Sequence, residues 1–310
     1  MGANPRDFGL DAYGPVGRSR WLDVDWRAHQ RWVTVDGQAV NVVELGGEEP
    51  ASAGREPVVF VHGLSGSWPN WLEQLPVVGA ERRVVAMDLP GFGHSPMPRE
   101  EITISGYGRL LDGLMDELSI DTAVLVGNSM GGFIACELAI GFPQRVERLV
   151  LVSAAGLSTS SSPRGERALS AVRRAETALA ASAAWVAARS DAATRRARLR
   201  ELLLSVVVRH PGRLPAALAA EQVRGSGTPG FIQAFEAVVD YDVRERLPEI
   251  ACPTLIVWGD RDRLIPVRDA HLFAELIPDS RLVVFPDTGH LAMLERPAAF
   301  NALLEEFIAK

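Results

Sequence analysis

A serine, two aspartates and a histidine stand in this chain at positions suited to nucleophilic catalysis. Gly127-Asn128-Ser129-Met130-Gly131-Gly132 follows the apolar run 123–126 and precedes a helical pattern beginning at Phe133. A G-x-S-x-G sequence between a strand and a helix holds its serine on a sharp, strained turn, proud of the sheet. The flanking glycines suit places where a side chain would strike the neighbouring strand and helix. A serine hydroxyl is a weak nucleophile at neutral pH and needs a base. His290, on the loop after the apolar run 282–285, has an ordinary pKa near ~6.5 and can take that proton and return it to a leaving group. A carboxylate must then fix the imidazole tautomer and stabilise the imidazolium. Asp260 and Asp262, at the end of the run 255–259, are the candidates. All of these residues fall just beyond strand ends, where open α/β sheets place their sites.

The elements that must position them can be read from periodicity. Residues 31–35, Asp36-Gly37 and 39–45 read as a hairpin with a tight turn. The runs 57–61 and 84–87 are short and continuously apolar, as in strands buried on both faces. Between them, 68–75 reads as a short helix. Tyr107, Leu110, Leu111, Leu114 and Leu118 recur at helical spacing. The helix that follows Ser129 should end near Gly141-Phe142-Pro143, with a strand at 148–153. The alternation then stops. Residues 157–247 are rich in Ala, Arg and Leu, broken at Pro163, Pro211-Gly212 and the glycine-rich stretch 225–230, and read as three or four helices. From Cys252 the strand–helix alternation resumes. The expected organisation is an α/β core of residues 31–156 and 248–310, an all-helical insertion at 157–247, and an N-terminal extension of residues 1–30 in which Trp21 and Trp26 supply apolar surface to bury.

His62-Gly63-Leu64 after a strand, the turn Asp88-Leu89-Pro90-Gly91-Phe92-Gly93-His94-Ser95, the Ser129 elbow, Trp258-Gly259-Asp260-Arg261-Asp262 and Gly289-His290 together resemble the α/β-hydrolase family over most of residues 31–310. The resemblance implies a mostly parallel central sheet flanked by helices, with the helical insertion as a cap or lid over the strand ends. It implies a triad of Ser129, Asp262 and His290, the acid falling three residues after the glycine that ends its strand. It also implies an oxyanion hole made by the backbone amides of Leu64 and Met130. The activity this suggests is hydrolysis of short- to medium-chain carboxylic esters or monoacylglycerols, because an Ala-, Leu- and Val-rich cap implies an apolar pocket. The elbow is also similar to that of the meta-cleavage-product hydrolases, which cut carbon–carbon bonds of ring-fission dienones. Those enzymes usually carry glycine and proline in the oxyanion loop, whereas here 62–67 contains no proline. Dehalogenases and epoxide hydrolases of this fold have an aspartate where Ser129 stands. A slow-turnover ligand receptor built on the same triad is the alternative from another class.

Several other residues invite a role. Trp68 and Asn128 are candidate substrate contacts. Asp88 and His94 read as a hydrogen-bonded turn near the site, His62 as an organiser of the oxyanion loop, and Asp260 as a surface partner of Arg261 or Arg263. Arg173, Arg174, Arg195 and Arg196 read as a solvated helix face rather than a carboxylate clamp, and the apolar stretch 202–208 as packing inside the cap. At 310 residues, 47% hydrophobic and 23% charged, the chain has the composition of a soluble globular domain with an insertion. A net charge of −7 speaks against nucleic acid as a partner. Cys136 and Cys252 lack metal-ligand spacing and read as free thiols. There is no nucleotide-binding or metallopeptidase motif, so neither cofactor nor metal is expected. No signal peptide or transmembrane run is apparent, which makes the cytoplasm the expected location and integral membrane association unexpected. A homodimer is left open.

Overall fold

The computed structural model of the chain describes residues 12–47, 54–158, 189–225 and 228–309. Eight strands form one sheet: β1 (Gln30–Val35), β2 (Gln38–Leu45), β3 (Val58–Val61), β4 (Val84–Met87), β5 (Ala123–Asn128), β6 (Val146–Val152), β7 (Thr254–Gly259) and β8 (Ser280–Phe285). Their order is β1-β2-β4-β3-β5-β6-β7-β8. The β1–β2 and β2–β4 pairs are antiparallel and the remaining pairs are parallel. The hairpin forms at Asp36-Gly37, both with positive φ (48° and 79°). Two left-handed residues are what a two-residue turn matching the strand twist requires.

The central strands are apolar without alternation because both faces are covered. Val59 and Val61 of β3, Leu125 of β5, Leu149 and Leu151 of β6, and Ile256 and Trp258 of β7 enter one core. Their neighbours Val58, Phe60, Val124, Val126, Val150, Val152, Leu255 and Val257 enter the other. On the first face lies the helix Ile104–Glu117, which buries Ile104, Tyr107, Leu111, Leu114 and Met115; Thr103 caps it by accepting the Gly106 amide at 3.0 Å. The helix Met130–Gly141 lies on the same face, apolar around most of its girth because it sits inside the core. Pro297–Ile308 covers the other face. The edge strand β1 turns Trp32 to solvent, 58% exposed. The expected helix at 68–75 is instead a 3-10 turn, Trp68–Trp71, followed by the short helix Leu75–Val78. Pro69 and Pro76 sit in the first turns of these two pieces and fit only near a helix start.

Between β6 and β7 the described residues hold four α-helices, Ser190–Thr194, Ala197–Leu204, Ala216–Arg224 and Phe231–Asp240. Pro163, Arg173 and Arg174 lie outside the described residues. The stretch 202–208 is divided: Leu204 and Val208 are buried, whereas Leu202 and Val206 are exposed (76% and 55%). The N-terminal segment is docked on the core. Trp21 is buried and donates to Glu73 at 2.9 Å, Ser19 donates to the same carboxylate oxygen at 2.7 Å, and Trp26 packs on Trp68 at 5.0 Å between ring centroids. Cys136 and Cys252 are free. No helix among the described residues is long and apolar enough to cross a membrane.

Candidate active site

Ser129 stands where β5 gives way to the helix Met130–Gly141, with φ 55° and ψ −119°. This backbone is unfavourable for a residue with a side chain and persists only when its surroundings impose it. Here they do. A Cβ on Gly127 would lie 2.3 Å from the Gly131 carbonyl oxygen, and one on Gly131 would lie 2.2 Å from that of Val61. Strand, turn and helix therefore approach more closely than any side chain allows. The Ser129 amide donates to Val152 O at 3.0 Å and its carbonyl accepts from Ala155 at 3.0 Å, which fixes the elbow to β6 and the loop beyond it. Asn128 is buried and its amide donates to Val152 O at 3.0 Å, so its side chain also braces β5 on β6.

The loop after β3 packs on Ser129. A Cβ on Gly63 would lie 2.8 Å from Ser129 Cβ. That contact brings Leu64 beside the elbow. Met130, as the first residue of its helix, has an amide without an intrahelical acceptor. His62 is fully buried and holds this loop with both ring nitrogens: Nδ1 lies 2.7 Å from Gly63 O, and Nε2 accepts the Leu89 amide at 3.0 Å. These contacts assign the proton to Nδ1. Burial pushes the His62 pKa down, so the ring is held neutral.

Asp88 ties the same loop to the turn after β4. Its Oδ1 accepts from the Trp68 amide at 2.8 Å, and its Oδ2 from Asn41 Nδ2 and the His94 amide, both at 2.9 Å. Burial alone would raise its pKa, but the His94 side chain and the backbone amides of His94 and Trp68 outweigh it and hold the carboxyl below its ordinary value. Asp88 and His94 thus form the hydrogen-bonded turn expected of them. Trp68 is buried against Trp26 and lines a cavity of about 620 Å³ with Trp21, Arg27 and Arg224.

Beyond the C-terminal ends of β7 and β8, His290 Nδ1 meets Asp262 Oδ2 at 2.7 Å, with the Asp262 side chain fully buried. Asp262 Oδ1 accepts the amides of Leu264 (2.8 Å) and Ile265 (3.0 Å). Asp260 turns elsewhere, to the Thr288 amide at 3.4 Å and to Arg261 at 3.5 Å. The loop carrying His290 folds inward across the end of β7. Arg261 N donates to Thr288 O at 2.9 Å, and a Cβ on Gly259 would lie 2.1 Å from Gly289 O. With the order β5-β6-β7-β8, that crossing moves His290 from the edge strand towards the elbow after β5.

Sequence patterns did not mark what supports this loop. The His290 amide donates to Val207 O at 3.0 Å, from the insertion. Glu295, fully buried, accepts from the amides of Gly289, Leu291 and Arg209 and from the Tyr13 hydroxyl. The available signal was a lone acid closing the apolar run 291–294 just before Pro297. Arg195 and Arg196 are exposed, as a solvated face would be. Among the described residues, no three His, Cys, Asp or Glu side chains converge as a metal site.

Comparison with known proteins places this geometry in context. A sequence profile described as the alpha/beta hydrolase fold matches residues 56–297. The dihydrolipoyllysine-residue acetyltransferase component of the acetoin cleaving system from Cupriavidus necator is 33% identical over 286 residues, covering 92% of this chain and 70% of its own. The 2-hydroxymuconate semialdehyde hydrolase of Pseudomonas sp. (strain CF600) is 32% identical over 272 residues, covering 82% and 87%. Among solved structures, Est816, described as an N-acyl homoserine lactone degrading enzyme, superposes with a TM-score of 0.68 at 27% identity, covering 89% and 100%.

Proposed function

The chain belongs to the α/β-hydrolase family, and we propose that within it the protein is a serine hydrolase that cleaves carboxylic esters through an acyl-enzyme on Ser129. The observation that carries this reading is the 2.7 Å contact between His290 Nδ1 and the buried Asp262 carboxylate, on the same edge of the sheet as the strained Ser129 elbow. With Nδ1–H directed to Asp262, Nε2 is left as the acceptor for the Ser129 proton. Ser129 Oγ attacks the ester carbonyl and His290 takes its proton. The tetrahedral oxyanion is met by the amides of Leu64 and Met130, each such donor contributing roughly 3 kcal/mol of transition-state stabilisation. Collapse expels the alcohol, protonated by His290. The same imidazole then activates water to release the acid.

In this reading the insertion of residues 157–247 serves as the cap. The bond from His290 N to Val207 O and those from Arg209 and His210 to Asp287 support an insertion seated on the histidine loop. The likeness to a 2-hydroxymuconate semialdehyde hydrolase favours a second reading, carbon–carbon cleavage of ring-fission products by the same three residues. Turnover of a p-nitrophenyl ester series from acetyl to palmitoyl, by wild type and Ser129→Ala, tests the first reading. Activity lost in the variant supports an esterase, and the optimal chain length sizes the acyl pocket. Inactivity of the folded wild type on every ester, with cleavage of a ring-fission dienone, replaces it with the second reading. Stabilisation by such a ligand with turnover of neither leaves the protein a receptor on the same fold.

A further inference from the structure

We propose that Glu295 is a positioning residue for His290, and that the N-terminal segment and the insertion act on the histidine through it. The inference rests on His290 being the catalytic base. Four donors from three separate parts of the chain converge on this one buried carboxylate. Oε1 accepts the amides of Gly289 at 3.0 Å and Leu291 at 3.3 Å, the two residues that flank His290. Oε2 accepts the Arg209 amide of the insertion at 2.9 Å and the Tyr13 hydroxyl of the N-terminal segment at 2.6 Å, and lies 3.0 Å from the Gly289 amide. Tyr13 in turn accepts the His210 amide at 2.8 Å.

Only an acceptor with two oxygens and no hydrogen of its own can satisfy this set, and a carboxylate is the one side chain that supplies it. The fit is close: a Cβ on Gly289 would lie 2.9 Å from Glu295 Oε1 and 2.8 Å from Arg209 N. Three consecutive amides are therefore anchored, 289 and 291 on Glu295 and 290 on Val207. Asp262 fixes the ring and its tautomer, while Glu295 fixes the backbone from which the ring hangs. A shift of about 1 Å in a catalytic group costs on the order of a hundredfold in rate, so an anchor of this kind acts on the chemical step.

Glu295→Gln keeps the shape but offers one oxygen. Its NH2 must face either the Gly289–Leu291 pair or the Arg209–Tyr13 pair, donor against donor. A fluorophosphonate probe reads assembly of the triad without knowledge of the substrate. On the full-length chain the wild type should be labelled at Ser129, and folded Glu295→Gln should be labelled roughly 10- to 100-fold more slowly. Its kcat on p-nitrophenyl acetate should fall in parallel while KM stays within about twofold, because substrate contacts are untouched. Tyr13→Phe removes one donor far from the reacting atoms and should slow labelling roughly twofold to fivefold. A purely architectural Glu295 would lower the melting temperature and leave labelling of the folded protein at the wild-type rate, which overturns the proposal. Should Glu295→Gln not fold, wild-type labelling by Tyr13→Phe overturns it in the same way. Absence of labelling in the folded wild type is a separate result, which removes the serine-hydrolase reading and this inference with it.

Discussion

Asp262→Asn should abolish most of the activity while leaving the fold intact, and the geometry says why. The Asp262 carboxylate uses Oδ1 for two loop amides, Leu264 and Ile265 at 2.8 and 3.0 Å, and Oδ2 for His290 Nδ1 at 2.7 Å. Asparagine has one oxygen and one NH2. If the NH2 faced the loop it would oppose two N–H donors at once, leaving both amides unpaired at about 1–3 kcal/mol each. The asparagine oxygen therefore keeps the loop and its NH2 is turned on His290. Nδ1 must then accept, and the ring proton moves to Nε2, the atom that should receive the Ser129 proton. Loss of the correct tautomer in a Ser-His-Asp site costs about 10⁴ in kcat, some 5.4 kcal/mol at 1.36 kcal/mol per decade. The loop bonds survive, so the melting temperature should stay close to that of the wild type. Asp260→Asn is the matched control: among the described residues its carboxylate meets Thr288 N at 3.4 Å and Arg261 at 3.5 Å, so it should change kcat less than about threefold. Fluorophosphonate labelling and initial rates on p-nitrophenyl esters measure both variants. An Asp262→Asn protein within about tenfold of wild type, or an Asp260→Asn protein as slow as predicted for Asp262, would refute the tautomer argument.

Three further outcomes are expected. Gly63→Ala places a methyl 2.8 Å from Ser129 Cβ and 3.1 Å from Asn128 O, so the loop after β3 or Ser129 must move; activity should fall at least about tenfold with a loss of roughly 1–3 kcal/mol in stability, read by initial rates and urea unfolding. Gly131→Ala meets the Val61 carbonyl oxygen at 2.2 Å, a backbone atom that cannot swing aside, and should yield little folded protein as judged by soluble expression and circular dichroism. The third concerns pH. Burial lowers the His62 pKa in the folded state, so the unfolded chain binds the extra proton; stability on this account is full above the unfolded value near ~6.5 and falls as pH drops through it. His62→Gln should therefore show a flatter loss of urea midpoint between about pH 7.5 and 5 than wild type, and an equal slope would remove His62 as its source.

Much of this site was legible in the sequence because its causes are local. The Ser129 elbow needs glycines exactly where strand, turn and helix touch, and Gly127 and Gly131 stand there. The hairpin at Asp36-Gly37 and the continuous apolar runs of β3 to β7 follow from turn chemistry and from burial on both faces. Asp88 reads as a structural turn because its partners Trp68 and His94 lie within 20 and 6 residues of it.

Other features required the tertiary structure. Asp260 and Asp262 follow the same strand, and only the family spacing, three residues past Gly259, favours Asp262 in the sequence. The contact itself depends on how the loop after β8 crosses β7, which brings Asp262 Oδ2 to His290 Nδ1. Proline in both short pieces around Trp68 and Leu75 divided a segment whose composition suggested one helix. The support beneath His290 was the least legible. Tyr13 and Arg209 reach Glu295 across 282 and 86 residues of chain. Periodicity and local sterics reveal which residues share a face or fit a turn. The buried donors that meet one carboxylate are set by the packing of the N-terminal segment, the insertion and the sheet together, and no local stretch of the sequence carries that information.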